Sequence, residues 1–137
     1  MATSPEAYVD TSAFIAFTDG SDTHHALFAR LFAAPPRLVT TSLVVAEGHG
    51  WFLRRFDRTR ALGFLAMVEM LAPLVILAVT AKEIAAATRL MRRFSDQDLT
   101  LADAVGLHLM SVRKTRSCWS TDRHLRLTGI PLVIDQT

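Results

Sequence analysis

The stretch Ala7-Tyr8-Val9-Asp10-Thr11-Ser12 decides how this chain folds. Its apolar triplet reads as a first buried strand, and that strand closes on a carboxylate followed by two hydroxyls. The pattern recurs far downstream, where Ser117-Cys118-Trp119-Ser120 runs into Thr121-Asp122. Carboxylates are rarely buried unless they are paired or bound to a metal. Acids at the carboxyl ends of core strands in an open α/β sheet point into the crevice where such sheets bind ligands. A crevice that gathers several of them is a hard-oxygen cage suited to Mg²⁺ or Mn²⁺.

Between these two strand ends, β-like runs alternate with helical ones. Helical spacing covers His24 to Ala34, with Leu27 and Leu31, and Phe28 and Phe32, four residues apart, until Pro35-Pro36 stops it. Arg37-Leu38-Val39-Thr40 reads as a second strand. Ser42 is placed to cap a helix through about Arg55, and Asp57 to cap another to about Leu71. Leu74 to Val79 reads as a third strand, and Thr80-Ala81-Lys82-Glu83 is a capping box opening a helix that ends near Phe94. Thr100 caps a helix through about Val112. Ser117 to Ser120 gives a fourth strand and Gly129 to Ile134 a fifth, after one helical turn. This alternation predicts an α/β fold with a central parallel sheet of about five strands covered on both faces. One domain over residues 1–137 is expected, with residues 1–6 as a flexible lead.

Half of the residues (50%) are hydrophobic, enough to fill a core without staples. The single cysteine, Cys118, cannot form an internal disulfide, and its apolar setting predicts a buried thiol that fits a reducing cytoplasm. No secretory signal is visible in Met1 to Ala7. The most apolar stretch, Phe64 to Val79, is broken by Glu69 and Pro73 and is too short to span a bilayer, so a cytoplasmic protein is expected. The formal net charge is only +2, yet thirteen of the fifteen basic residues are arginine. The basic residues gather as Arg54, Arg55, Arg58 and Arg60, as Arg89, Arg92 and Arg93, as Arg113, Lys114 and Arg116, and as Arg123 and Arg126. Arginine suits bidentate phosphate contacts, and solvated helix faces would carry the same clusters.

Each candidate acid has a structural explanation beside a chemical one. Asp10 precedes Thr11-Ser12, whose hydroxyls and N–H groups can orient a carboxylate, and Asp-Thr-Ser is also a common helix start. Glu47 stands on the helix begun by Ser42, next to an apolar stripe and beside Gly48 and Gly50. Those glycines either pack closely or admit something bulky, such as substrate backbone. Thr100 and Asp103 have capping-box spacing, which would explain Asp103 but not the crowding of Asp96 and Asp98 into the same turn. Asp122 again reads as a cap or a ligand. The five histidines form no zinc pattern, and surface or packing roles are expected for all of them, His124 included. Trp51 and Trp119 read as core residues. No P-loop, G-x-G-x-x-G or G-x-S-x-G is present.

Val9-Asp10-Thr11-Ser12, Ala46-Glu47, Asp98-Leu99-Thr100-Leu101-Ala102-Asp103-Ala104 and Ser120-Thr121-Asp122, in this order, resemble the PIN-domain ribonucleases. Size and spacing are most similar to the VapC-type toxins of bacterial toxin–antitoxin pairs, from about Tyr8 to Val133. The resemblance implies a three-layer α/β/α domain with an acidic pocket at the carboxyl edge of its sheet. It implies that Asp10, Glu47, Asp103 and Asp122 bind Mg²⁺ or Mn²⁺ and carry catalysis, that Asp98 assists, and that Thr11, Ser12 and Thr121 support them. It also implies cleavage of transfer or ribosomal RNA, a small antitoxin partner and a homodimer. A metal in such a cage activates water for attack on a phosphodiester and offsets charge on the leaving oxygen. Rim arginines would hold RNA phosphates, with Arg123, Arg92 and Arg93 as candidates. The rival expectations are a catalytically silent nucleic-acid-binding or regulatory module, and a DNA-directed nuclease of the same fold.

Overall fold

The structure, a computed structural model, describes residues 4–136. Strands β1 (Ser4–Val9), β2 (Leu38–Thr41), β3 (Leu74–Leu77) and β4 (Thr115–Trp119) form one parallel sheet in the order β3-β2-β1-β4. Parallel neighbours need long crossovers, and helix pairs supply them. Helices α1 (Thr11–Thr18) and α2 (His25–Ala33) join β1 to β2, and α3 (Ser42–Arg55) and α4 (Arg58–Met70) join β2 to β3. Then α5 (Ala81–Arg93) and α6 (Leu101–Arg113) carry the chain back across to β4, beside β1. The strand order therefore reverses between β1 and β4, the place where open sheets form their crevice.

Successive strand residues face opposite sides of a sheet. Glu6 to Val9 of β1 and all of β2 are buried, so both faces of the two central strands are covered, as expected. The edge strand β3 is half open, with Val75 and Ile76 exposed. Buried Glu6 accepts a two-pronged salt bridge from Arg113 Nε at 2.7 Å and Nη2 at 3.0 Å, tying the start of β1 to the end of α6. Among the described residues, no helix is long and apolar enough to cross a membrane.

Two expectations need correction. Residues 4–6 belong to β1 rather than to a flexible lead, and residues 1–3 of that lead lie outside the described residues. The fifth strand is reduced to one bridge between Cys118 and Leu132, leaving four strands among the described residues. The Cys118 N–H donates to the Pro131 carbonyl at 2.8 Å, but Pro131 has no N–H to return, and the chain turns into a 3₁₀ segment at Val133–Asp135.

Of the glycines near Glu47, Gly48 is explained by packing. Phe64 reaches from α4 across to α3, stacked on Phe52 at 5.2 Å and edge-on to Phe14 at 5.9 Å. A Cβ at Gly48 would lie 2.5 Å from the Phe64 Cζ and 2.8 Å from its Cε2. Overpacking a filled core costs about 1–3 kcal/mol, against about 1 kcal/mol that alanine gains over glycine inside a helix. Gly48→Ala is expected to lower the urea midpoint of unfolding. A midpoint at or above the parent's would mean that the Phe64 ring yields freely. Gly50 has only the Arg54 guanidinium near its Cβ position.

Candidate active site

The site begins at the β1–β4 pair. Val9 lies opposite Trp119, and the Asp10 N–H donates to the Trp119 carbonyl at 3.0 Å, so the two strands end level with each other. Asp10 stands between β1 and α1 in the N-cap position, but its side chain caps nothing. Instead its Oδ2 accepts hydrogen bonds from Ser120 Oγ at 2.9 Å and Ser12 Oγ at 3.1 Å. Those two hydroxyls lie 3.1 Å apart, and each also accepts a backbone N–H, from Asp122 at Ser120 and from Thr121 at Ser12. A hydroxyl network thus fixes the Asp10 carboxylate and the end of β4 together. Thr121 contributes its N–H to this network.

The remaining acids arrive from helices. Thr41 accepts the Val44 N–H and caps α3, one residue earlier than expected, and α3 then presents Glu47, which accepts the Thr11 hydroxyl. Thr100 and Asp103 form the expected capping box: the Asp103 N–H donates to Thr100 Oγ1 at 3.1 Å, and the Thr100 N–H to Asp103 Oδ2 at 3.2 Å. Asp122 accepts the His124 N–H at 3.0 Å at the head of a 3₁₀ turn, Arg123–Arg126. For Asp103 and Asp122 the cap explanation is correct, and it is also what aims them. Asp10, Thr11, Ser12, Glu47, Asp103 and Asp122 line one cleft of about 250 Å³.

The electrostatics of this cleft are unbalanced. Asp10 is 5% exposed and Asp103 7%. Burial, opposed by its hydrogen bonds and reinforced by the Asp103 charge, pushes the Asp10 carboxyl up to about 6. Burial also holds the Asp103 carboxyl above the ordinary range, with the charges of Asp122 and Glu47 adding to it. Arg54 is the one cation among the described residues lining the cleft. Carboxylates forced together in this way lack positive charge, and a donor set made mostly of carboxylate oxygens fits a hard divalent cation.

Several residues fall differently from expectation. Asp98 is exposed and does not line the cleft, nor do Arg123, Arg92 and Arg93, all of them exposed. Trp51 is half-buried and lines the cleft, packed edge-on against Phe52 and Phe56, whereas Trp119 is core. His124 is neither packing nor plain surface. Its Nδ1 lies 3.0 Å from Asp122 Oδ1, and one ligand atom each from Asp103, Asp122 and His124 fall within 4.8 Å of one another. Ser120 is readable from the sequence only as part of a strand end, because its partners are 108 and 110 residues away.

A strand-end crevice lined by four acids lies where open parallel sheets bind their ligands. The chain belongs to the PIN domain family, whose pattern matches residues 7–129. Among solved structures it is similar to Mycobacterium tuberculosis VapC20, described as a sarcin-ricin loop cleaving toxin, at 22% identity and a TM-score of 0.82, covering 90% of this chain and 95% of that one. It is also similar to PAE2754 from Pyrobaculum aerophilum, at 18% identity and a TM-score of 0.66, covering 96% and 91%. A toxin–antitoxin complex from Klebsiella pneumoniae is similar at 17% identity and a TM-score of 0.60, covering 91% and 92%. Comparison with curated proteins gives no match.

Proposed function

We propose that this chain is a divalent-metal-dependent endoribonuclease of VapC type, the toxin of a toxin–antitoxin pair. The observation that carries this reading is the convergence of Asp10, Glu47, Asp103 and Asp122 on one cleft with little compensating positive charge. These four would hold Mg²⁺ or Mn²⁺, and His124 would complete the set beside Asp122. Asp98 would act only from outside the lining. The bound ion would supply a nucleophile from water at neutral pH and offset charge on the phosphate and its leaving oxygen.

The protein's own work is positioning. Ser12 and Ser120 fix Asp10, Thr11 fixes Glu47, and the capping box fixes Asp103, so the carboxylates stand ready before RNA arrives. Trp51, at the wall, offers an apolar face to a base or ribose. Proposed partners are structured transfer or ribosomal RNA as substrate, a small antitoxin protein, and a second copy of the chain, in the cytoplasm. The fold shared with a toxin described as cutting the sarcin-ricin loop supports the substrate class, and the Klebsiella complex supports the antitoxin.

The test is incubation of the purified chain with total bacterial RNA in Mg²⁺, Mn²⁺ or EDTA, followed by sequencing of the new ends. Discrete, metal-dependent cuts are expected. RNA left intact, with single-stranded DNA cut under the same conditions, would sink the ribonuclease reading.

A further inference from the structure

We propose that a second cleft, walled by α5, α6 and the turn after Arg126, binds a nucleotide of the RNA strand a few steps from the scissile phosphate; this rests on the nuclease reading above. At about 680 Å³ it is larger than the acidic cleft and within the size range of small-ligand sites. Its polar wall is rich in donors. Arg89 and Arg93 stand one helical turn apart on α5, and His108 and Ser111 face them from α6. No carboxylate lines it among the described residues, whereas the neighbouring cleft holds four. An anion with several oxygens is the complementary ligand, and arginine pairs grip phosphate bidentately.

The other wall is apolar. Leu90, Phe94 and Leu127 face the cleft, and the Arg93 guanidinium lies 5.2 Å from the centre of the Phe94 ring. Phosphate-binding donors beside an apolar face suit a nucleotide better than a bare anion. Gly129, at φ 94°, bends the chain at the cleft, and a Cβ on it would meet nothing within 4 Å, so this end stays open.

Two elements run from one cleft to the other. On α6, His108 follows Asp103 by five residues, about 7.5 Å along a helix axis. The 3₁₀ turn leads from Asp122 to Leu127, about 10 Å at its rise per residue. These are rises along the elements, and His108 projects about 140° round α6 from Asp103, so a strand joining the two clefts has to pass around that helix.

Binding is measured by the anisotropy of a short labelled single-stranded RNA in EDTA, with Asp103→Asn protein so that nothing is cut. Adding Arg89→Glu and Arg93→Glu is expected to weaken binding about tenfold and to reduce the salt slope by about 1.4, two phosphate contacts at about 0.7 each. Adding Arg30→Glu and Arg37→Glu instead, exposed arginines lining neither cleft, changes net charge equally and is expected to cost about twofold or less. Unchanged affinity in the α5 variant, or equal losses in the two arginine pairs, would overturn the proposal. Wild-type protein that binds RNA through this cleft yet cuts none would sink the nuclease reading alone.

Discussion

Asp103→Asn is expected to fold normally and to lose about three orders of magnitude in RNA cleavage, the equivalent of several kcal/mol of charge stabilisation at the reacting phosphate. The substitution is nearly isosteric. Asparagine keeps an oxygen that can accept the Thr100 N–H, so the cap of α6 survives and the first turn of the helix holds its place. What disappears is one negative charge from a group that is 7% exposed and faces Asp122 and Glu47 across the cleft. Single-turnover cleavage of one mapped RNA site in saturating Mn²⁺, beside a thermal melt of the same samples, reads both consequences. A variant that melts like the parent and cuts within fivefold of it would remove Asp103 from the reaction.

Asp10→Asn is expected to change stability as well as activity: it should raise the melting temperature of the metal-free protein at neutral pH while abolishing cleavage. The folded chain holds the Asp10 proton up to about pH 6, whereas the unfolded chain releases it near 3.8. The folded state therefore binds more protons in that window, and stability falls as pH rises through it. The gap between the folded and unfolded values corresponds to at most about 3 kcal/mol at pH 7. Asparagine carries no charge, and its amide can both accept from and donate to the Ser12 and Ser120 hydroxyls. In EDTA the variant should exceed the parent at pH 7, and the gap should close near pH 4. Added Mn²⁺ should raise the parent's melting temperature more than the variant's, because ligands that bind only the folded state stabilise it. A variant less stable than the parent by the same amount at both pH values would show Asp10 to be a hydrogen-bonding residue only.

The two predictions share a cause that is partly legible in the sequence. Asp10, Asp103 and Asp122 can be read there because each marks the end of an element, and ends of elements are set by local chemistry. Capping spacing places α5 and α6 within a residue of their observed starts for the same reason. Glu47 lies inside a helix, where an apolar stripe and two glycines single it out less sharply than an element end would, and the resemblance to the PIN-domain nucleases adds the stronger mark. The network around Asp10 is not legible, because Ser12 and Ser120 meet only through the β1–β4 pairing. His124 and Trp51 likewise take their places from three-dimensional packing. The expected fifth strand fails because the apolar residues around Pro131 look strand-like, while the missing N–H decides against a ladder. Arg93, a candidate for the rim of the acidic cleft, lines the larger one.

The most direct test of a metal-dependent nuclease site is to titrate Mn²⁺ into the wild-type chain by calorimetry while measuring, over the same concentrations, the rate at which it cuts a mapped RNA site. Cleavage should rise with occupancy, half-maximal at the dissociation constant, and the binding isotherm should be lost in Asp103→Asn. Cleavage at full rate in EDTA, or a site that binds Mn²⁺ as tightly without Asp103, would contradict the assignment.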